Sequence, residues 1–340
     1  MAKTRVGIVN VTGYVGAELA RILLRHPAVE IVSATGRSEA GKNVGSVFPH
    51  LAPVDLIIQH ELGDVDLAFS ALPHRASAAA VLPLLKKGVR VIDTSADFRL
   101  KDATEYQRWY EHAHPDPEAL SAAAYGLPEL HRQEIQAARL VANPGCYPTC
   151  TILGLAPALK NGLIEGHIVV DSKSGVSGAG RTLKLESHFS EVNENLGAYS
   201  LRGHRHLPEI LQELNGVSAK RPVSLTFVPH LIPMTRGMLS SCYATLKPGK
   251  TETEVKALYA DFYRDEPFVK IVDRPPQTKH TLGSNLCLIY PTVDTRTGTL
   301  VVLSCLDNLV KGAAGQAVQN MNLMLGIPES TGIDMLPLYP

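Results

Sequence analysis

Val6-Gly7-Ile8-Val9-Asn10-Val11-Thr12-Gly13-Tyr14-Val15-Gly16-Ala17-Glu18-Leu19 sets a short apolar run against a glycine-bearing turn and then opens a helical pattern. A strand buried in a parallel sheet has this continuous apolar character, and the glycines let it turn directly into a helix. Working outward, the rhythm continues with a helix over 16–25, strands over 29–35 and 66–71, a helix over 76–87 and a strand over 89–93. Strand-helix alternation of this kind predicts an α/β fold, a Rossmann-like doubly wound parallel sheet.

Near 142–148 the pattern changes to longer strands over 168–173, 223–228, 238–246 and 300–306, with a hairpin at 295–298. Helices are expected over 208–214 and 255–263, the second announced by the capping-box spacing of Thr251 and Glu254. This half predicts an α+β catalytic domain with a mixed, largely antiparallel sheet. The last helix, 312–325, has a composition suited to packing on the first domain, so the expected boundaries are 1–146 with 311–340, and 147–310.

With 340 residues, 45% of them hydrophobic, the chain can bury two ordinary cores. Equal counts of Lys+Arg and Asp+Glu, 33 each, argue against a nucleic-acid partner. The run 6–11 is too short for a signal peptide or a membrane span, so no membrane partner and a cytoplasmic location are expected. Five cysteines, with no C-x-x-C pair and no paired histidine motif, indicate neither a disulfide framework nor a metal site.

Thr12, Gly13, Tyr14, Val15 and Gly16 place backbone amides at a helix N-terminus, where a pyrophosphate can bind. The first glycine of G-x-G-x-x-G is missing, so the segment alone reads equally as a nucleotide loop or a plain strand-to-helix turn. The second strand ends in Thr35-Gly36-Arg37-Ser38, without the carboxylate that would hold a ribose 2'-hydroxyl. Arg37 and Ser38 suit a 2'-phosphate, which selects NADP as the cofactor.

Asn143-Pro144-Gly145-Cys146-Tyr147-Pro148-Thr149 leads into a helical pattern over 151–159, putting Cys146 at or just before a helix start, where thiolates are favoured. Cys242, Cys287 and Cys305 lie in apolar strands, and Cys150, one helical turn after Cys146, reads as packing. In Gly203-His204-Arg205-His206-Leu207-Pro208-Glu209 two histidines flank an arginine near a helix start. His204, in the glycine-led loop, is the preferred base, and His206 is expected to serve the helix start. Ser174-Gly175-Val176-Ser177-Gly178-Ala179-Gly180-Arg181 is either an anion-binding backbone nest or a flexible turn.

Taken with Ser95-Ala96-Asp97-Phe98-Arg99-Leu100, Arg236-Gly237 and Asp307-Asn308-Leu309-Val310-Lys311-Gly312-Ala313-Ala314-Gly315, these motifs make nearly the whole chain resemble the N-acetyl-gamma-glutamyl-phosphate reductases of the aspartate-semialdehyde dehydrogenase-like superfamily. The resemblance implies Cys146 as nucleophile, one of His204 and His206 as general base, and NADPH reduction of an acyl phosphate through a cysteine thioester in arginine biosynthesis. It further implies cofactor contacts from Ser177, Gly178, Asn308 and Gly312, and substrate contacts from Arg99, Asn143, Ser174, Gly175 and Arg236. Arg99 would hold the phosphate. The implied partners are a small acyl phosphate, inorganic phosphate and further copies of the chain in a dimer or tetramer. Two departures from the family pattern, Asn10 and Arg75 in place of glycines, fall on the cofactor side. Alternatives are an acyl-phosphate reductase for aspartyl or carrier-linked aminoadipyl phosphate, or a non-catalytic NADP-binding redox sensor.

Overall fold

The computed structural model describes residues 2–218 and 222–340. The chain divides into two compact units, Met1–Gly145 with Ala313–Met335, and Cys146–Gly312 with Leu336–Pro340.

The first unit holds seven strands, β1 (Thr4–Val9), β2 (Val29–Thr35), β3 (Ile58–Gln59), β4 (Leu67–Ser70), β5 (Arg90–Asp93), β6 (Ala124–Tyr125) and β7 (Leu140–Ala142). They form one sheet in the order β3-β2-β1-β4-β5-β7-β6, with every pair parallel. Val6, Ile8, Leu67, Phe69, Val91 and Ile92 are all buried, as strands covered on both faces require. Strand order reverses between β1 and β4, which opens a crevice at their C-terminal ends. The first strand stops two residues earlier than its apolar run suggests. Asn10 takes φ +67°, a left-handed conformation that asparagine tolerates better than other non-glycine residues, and the chain leaves the sheet there.

After the second unit the chain returns to the first as the helix Gly315–Met324, preceded by a π-helical turn, Val310–Ala314. Every residue of that helix is buried, its amides included. Gln316 and Asn320 donate to the carbonyl of Gly126 (2.7 and 2.9 Å), Asn320 also donates to Asn143 Oδ1 (3.0 Å), and Gln319 donates to Glu329 (2.9 Å). The last five residues differ from the expected boundary. They join the second unit, where Leu338 N–H donates to the carbonyl of Leu282 and takes them out of the first core.

The second unit contains β8 (Ile164–Gly175), β9 (Gly197–Ala198), β10 (Ser224–Ile232), β11 (Met238–Leu246), β12 (Val269–Ile271), β13 (Cys287–Asp294) and β14 (Thr299–Leu306). Their order is β12-β13-β14-β11-β8-β10-β9; β8–β10 and β12–β13 are parallel and the other pairs antiparallel. The helix Cys146–Lys160, buried from Tyr147 through Leu159, packs on one face of this sheet. Along β8, Ile168, Val170, Ser172 and Ser174 are buried while His167, Val169, Asp171 and Lys173 lie on the more open face. Among the described residues no helix is long and apolar enough to cross a membrane.

Asn320→Ala removes a buried donor and leaves Gly126 O and Asn143 Oδ1 short of a partner. It is expected to destabilise the first unit by about 2–4 kcal/mol in urea unfolding, and a loss below about 0.5 kcal/mol would show that these bonds do not hold the returning helix.

Candidate active site

In the first unit the turn after β1 is built as the sequence suggests. Asn10 N–H donates to Thr35 Oγ1 (3.1 Å), its Nδ2 donates to the carbonyl of Ala71 (2.8 Å), and its Oδ1 accepts from Thr12 Oγ1 (3.1 Å). Rather than crowding the loop, the asparagine ties the ends of β1, β2 and β4 together. A Cβ on Gly16 would lie 2.3 Å from the carbonyl of Asn10, so only glycine fits where the following helix, Tyr14–Leu23, crosses the strand end. Gly13 caps that helix without a side-chain hydrogen bond, and its first turn carries no acid. Such an end is suited to a pyrophosphate. Beside it, a Cβ on Gly36 would lie 2.7 Å from Thr12 Cγ2, which brings the Arg37–Glu39 turn against the same loop. Arg37 and Ser38 are exposed there, and the nearby Glu39 carboxylate is paired with Lys42 (2.7 Å). The residues present therefore fit a dinucleotide, with a cation and a hydroxyl where a 2'-phosphate would sit.

Two expected substrate contacts of this unit bond its own structure, Asn143 through every polar group and Arg99 through Nε and Nη2. Asn143 is 0% exposed, and all four of its polar groups are bonded. Its N–H donates to Asp93 O (2.8 Å), its carbonyl accepts from Arg99 Nε (2.8 Å), Nδ2 donates to Ala313 O (3.1 Å) and Oδ1 accepts from Asn320. Arg99, 6% exposed, also donates Nη2 to the carbonyl of Thr94 (2.8 Å). The side-on edge of its guanidinium thus binds backbone. Asp93, in the same layer, accepts from Ser77 Oγ and Ser95 Oγ (both 2.6 Å), and burial pushes its carboxyl up to about 6.

In the second unit Cys146 is the first residue of its helix, five positions earlier than the apolar pattern begins. Pro148 is tolerated because it falls in the first turn. None of the five cysteines is in a disulfide, and Cys150, Cys242, Cys287 and Cys305 are buried while Cys146 is partly exposed. Burial raises the Cys150, Cys242 and Cys287 thiols and pushes Cys305 up to about 12. A Cβ on Gly312 would come within 2.8 Å of Cys146 Cβ. That glycine, expected at the cofactor, leaves room for the Cys146 side chain.

Tyr147, next to Cys146, packs its ring edge-on against His204, His206 and Phe227, at 5.7, 6.0 and 5.4 Å. His204 and His206 are 4.8 Å apart, and Tyr199 closes the cluster 5.4 Å from His204. Tyr147 OH donates to the carbonyl of His230 (2.9 Å) and accepts from Tyr199 OH (3.3 Å). Burial pushes the Tyr199 phenol up to about 12. Tyr147 was readable from its place in the cysteine motif, whereas nothing in the sequence marks Tyr199 or Phe227. Within the cluster His204 Nδ1 accepts from the backbone N–H of His206 (3.1 Å). Its ring is held neutral by burial, with a smaller contribution from Arg205, at about 4. A neutral ring with Nδ1 occupied carries its proton on Nε2 and acts as a donor. This opposes the preference for His204 as base. His206 is the N-cap of the helix Leu207–Val217 but makes no side-chain capping bond, so the helix-start role expected of it is not realised.

In the 174–181 segment the first amides are engaged by backbone rather than open to an anion. The N–H groups of Gly175, Val176 and Ser177 donate to the carbonyls of Gly237, Met234 and Thr235, extending the pairing beyond β8. A Cβ on Gly175 would lie 2.8 Å from Thr235 O, which explains the glycine as close backbone approach. Ser174 is buried with its hydroxyl on Gly175 O, and a Cβ on Gly178 would lie 3.1 Å from that hydroxyl. Asn308 joins the two segments, accepting from Gly237 N–H (2.8 Å) and donating to Ser177 Oγ (2.9 Å). Arg236 Nε lies 3.3 Å from the buried Asp307 carboxylate. Among the described residues no group of three or more His, Cys, Asp or Glu side chains could hold a metal ion.

Residues 5–138 match the family described as semialdehyde dehydrogenase, NAD binding domain, and residues 146–308 match semialdehyde dehydrogenase, dimerisation domain. Over 341 residues, spanning 100% of both chains, the protein is 58% identical to an N-acetyl-gamma-glutamyl-phosphate reductase of Dehalococcoides mccartyi. It is 52% identical to the enzyme of that name from Pelotomaculum thermopropionicum, across 99% of each chain. Among solved structures it is similar to aspartate semialdehyde dehydrogenase II of Vibrio cholerae complexed with ASA, with a TM-score of 0.74 and 17% identity over 96% of this chain and 99% of that one. It is also similar to aspartate semialdehyde dehydrogenase with NADP from Candida albicans, with a TM-score of 0.72 and 15% identity over 95% and 99%. These two likenesses are of fold.

A thiol reagent added to the native protein should modify Cys146 first, and about one thiol per chain before unfolding. Faster labelling at Cys150 would contradict the burial pattern. Because folded His204 takes its proton only near pH 4 and the unfolded chain near 6.5, the unfolded state binds more protons between these values. Stability should therefore fall as pH drops from about 6.5 toward 4. His204→Gln should flatten that part of a urea-midpoint profile, and an unchanged slope would remove His204 as its source.

Proposed function

We propose that this chain, which belongs to the N-acetyl-gamma-glutamyl-phosphate reductase family, reduces N-acetyl-gamma-glutamyl phosphate to N-acetylglutamate semialdehyde and phosphate with NADPH, a step of arginine biosynthesis. The observation that carries the reading is Cys146 opening a buried helix, partly exposed while four other thiols are buried, in a unit that also presents two adjacent histidines.

The Cys146 thiolate attacks the acyl carbon, the S–C bond forms, and the acyl–oxygen bond to phosphate breaks, leaving a thioester. Backbone amides at the helix start stabilise the oxyanion of each tetrahedral state, and His204 Nε2–H adds a side-chain donor. His206 takes the proton of the Cys146 thiol to generate that thiolate, and after hydride transfer it returns the proton to the sulfur as the C–S bond breaks and the aldehyde leaves, restoring the thiol. NADPH, held by residues 12–16 with Arg37 and Ser38 on the 2'-phosphate, supplies the hydride when bound. Arg99 and Asn143 hold the chain just before Cys146, and the 174–178 and 307–308 segments brace the same unit.

A second copy of the chain is the partner we assign to the open face of the second sheet. Val169 and Tyr243, directly opposite in β8 and β11, are each 38% exposed there, with Val301 beside them in β14. An apolar row on this more open face fits the domain's family description, and a dimer, alone or paired into a tetramer, buries it. A cytoplasmic location is part of the same proposal.

With N-acetylglutamate semialdehyde and NADP, the purified protein should reduce the cofactor only when phosphate is present, and Cys146→Ser should lose nearly all turnover while still binding cofactor. Substantial activity in that variant rules out the thioester. Faster turnover of aspartate semialdehyde would reassign the substrate. Replacing Arg37 with alanine should weaken NADPH binding by about tenfold, the worth of one charge-assisted hydrogen bond, and leave NADH binding nearly unchanged. Equal effects on both cofactors would take Arg37 off the 2'-phosphate.

A further inference from the structure

The crevice at the β1–β4 reversal has two walls. One is the 10–16 loop, and the other is the segment leaving β4 at Ser70, tied to the first by Asn10 Nδ2 on Ala71 O. In that second wall Arg75 holds φ +68°, a left-handed conformation that disfavours any residue with a Cβ. Core packing does not impose it, because Pro73, Arg75 and Ala76 are exposed. The contact between Arg75 Nη2 and Glu111, 3.6 Å between exposed side chains, is too weak to impose it.

The group that does hold the turn is the fully buried Asp97 carboxylate. Oδ1 accepts from Arg75 N–H (2.6 Å) and from Tyr106 OH (3.0 Å), and Oδ2 accepts from Ala78 N–H (2.9 Å) at the start of the helix Ser77–Lys86. Both oxygens act as acceptors, a pattern that a carboxylate satisfies and an amide cannot. Asp97 N–H is itself fixed on Ser95 Oγ (3.0 Å), so the side chain starts from an anchored backbone.

We propose that Asp97 is a positioning residue for the dinucleotide, imposing the left-handed turn at Arg75 and so setting the shape of the wall opposite the 10–16 loop. This rests on the reading that the first unit takes a nicotinamide dinucleotide. The prediction is distinct from a general loss of stability, because glycine at position 75 reaches the same turn without being held there.

The test is the dissociation constant of NADPH, measured by its fluorescence on the full chain, with thermal melting as the control for folding. Asp97→Asn should weaken NADPH by about tenfold, the cost of setting an N–H against a buried backbone N–H. Arg75→Gly alone should stay within about twofold of the parent, and adding it to Asp97→Asn should recover most of the lost affinity. An unchanged constant in Asp97→Asn overturns the proposal, and so does a weakened constant that Arg75→Gly fails to recover. Should Asp97→Asn not fold, Tyr106→Phe takes its place with and without Arg75→Gly, expected to weaken NADPH by about threefold and to be recovered in the same way; no weakening or no recovery overturns the proposal. A parent protein that does not bind NADPH would instead overturn the cofactor reading.

Discussion

Asn143 is the residue on which the first unit closes. A parallel sheet covered on both faces ends its strands in a region without water, where each backbone group needs a protein partner. Asn143 meets that demand for β5 through Asp93 O, for Arg99 through its own carbonyl, and for the returning chain through Ala313 and Asn320. One buried amide thereby joins segments that lie up to 177 positions apart. It also stands three residues before Cys146, so the chain enters the nucleophile's helix from a fixed point. An arginine and an asparagine that resemble substrate ligands by motif also bond the scaffold here.

The same economy of roles explains the histidine pair. A histidine in a glycine-led loop, such as His204, invites assignment as the base. Here a backbone N–H decides otherwise: His206 donates it to His204 Nδ1, and burial keeps that ring uncharged. The result is one histidine fixed as a donor next to a second whose side chain does not cap its helix. A donor and a base are what the two tetrahedral states of acyl transfer need.

Much of this was legible from local pattern. The strand, turn and helix from Thr4 to Leu23 are local, and periodicity and glycine placement reveal them; the mixed second sheet announces itself through longer, alternating strands. Cys146 is legible because a turn glycine precedes a helix. What pattern reading misses is set by distant partners. The commitment of Asn143 depends on Ala313 and Asn320, the loss of the 175–177 amides to a nest depends on 234–237, and Tyr199 reaches the histidines only through the fold. Asn10 lies between these cases. Its tolerance of a left-handed turn is readable, but whether its side chain obstructs or braces the loop depends on Ala71, 61 positions away.

A chain with five thiols and an acyl-phosphate substrate must also prevent acylation at the wrong sulfur. Four of them lie in the core of the second unit, where burial favours the neutral thiol and no solvent-borne electrophile can reach them. Cys150 even donates its S–H to the carbonyl of Ser304 (3.1 Å), which turns its proton to structural use. Cys146 differs from it by one turn of the same helix, yet that turn separates the partly exposed first residue of the helix from its buried interior. Selectivity among chemically identical groups thus follows from burial and helix position together, and Gly312, by leaving no Cβ against Cys146, gives that thiol room at the helix end.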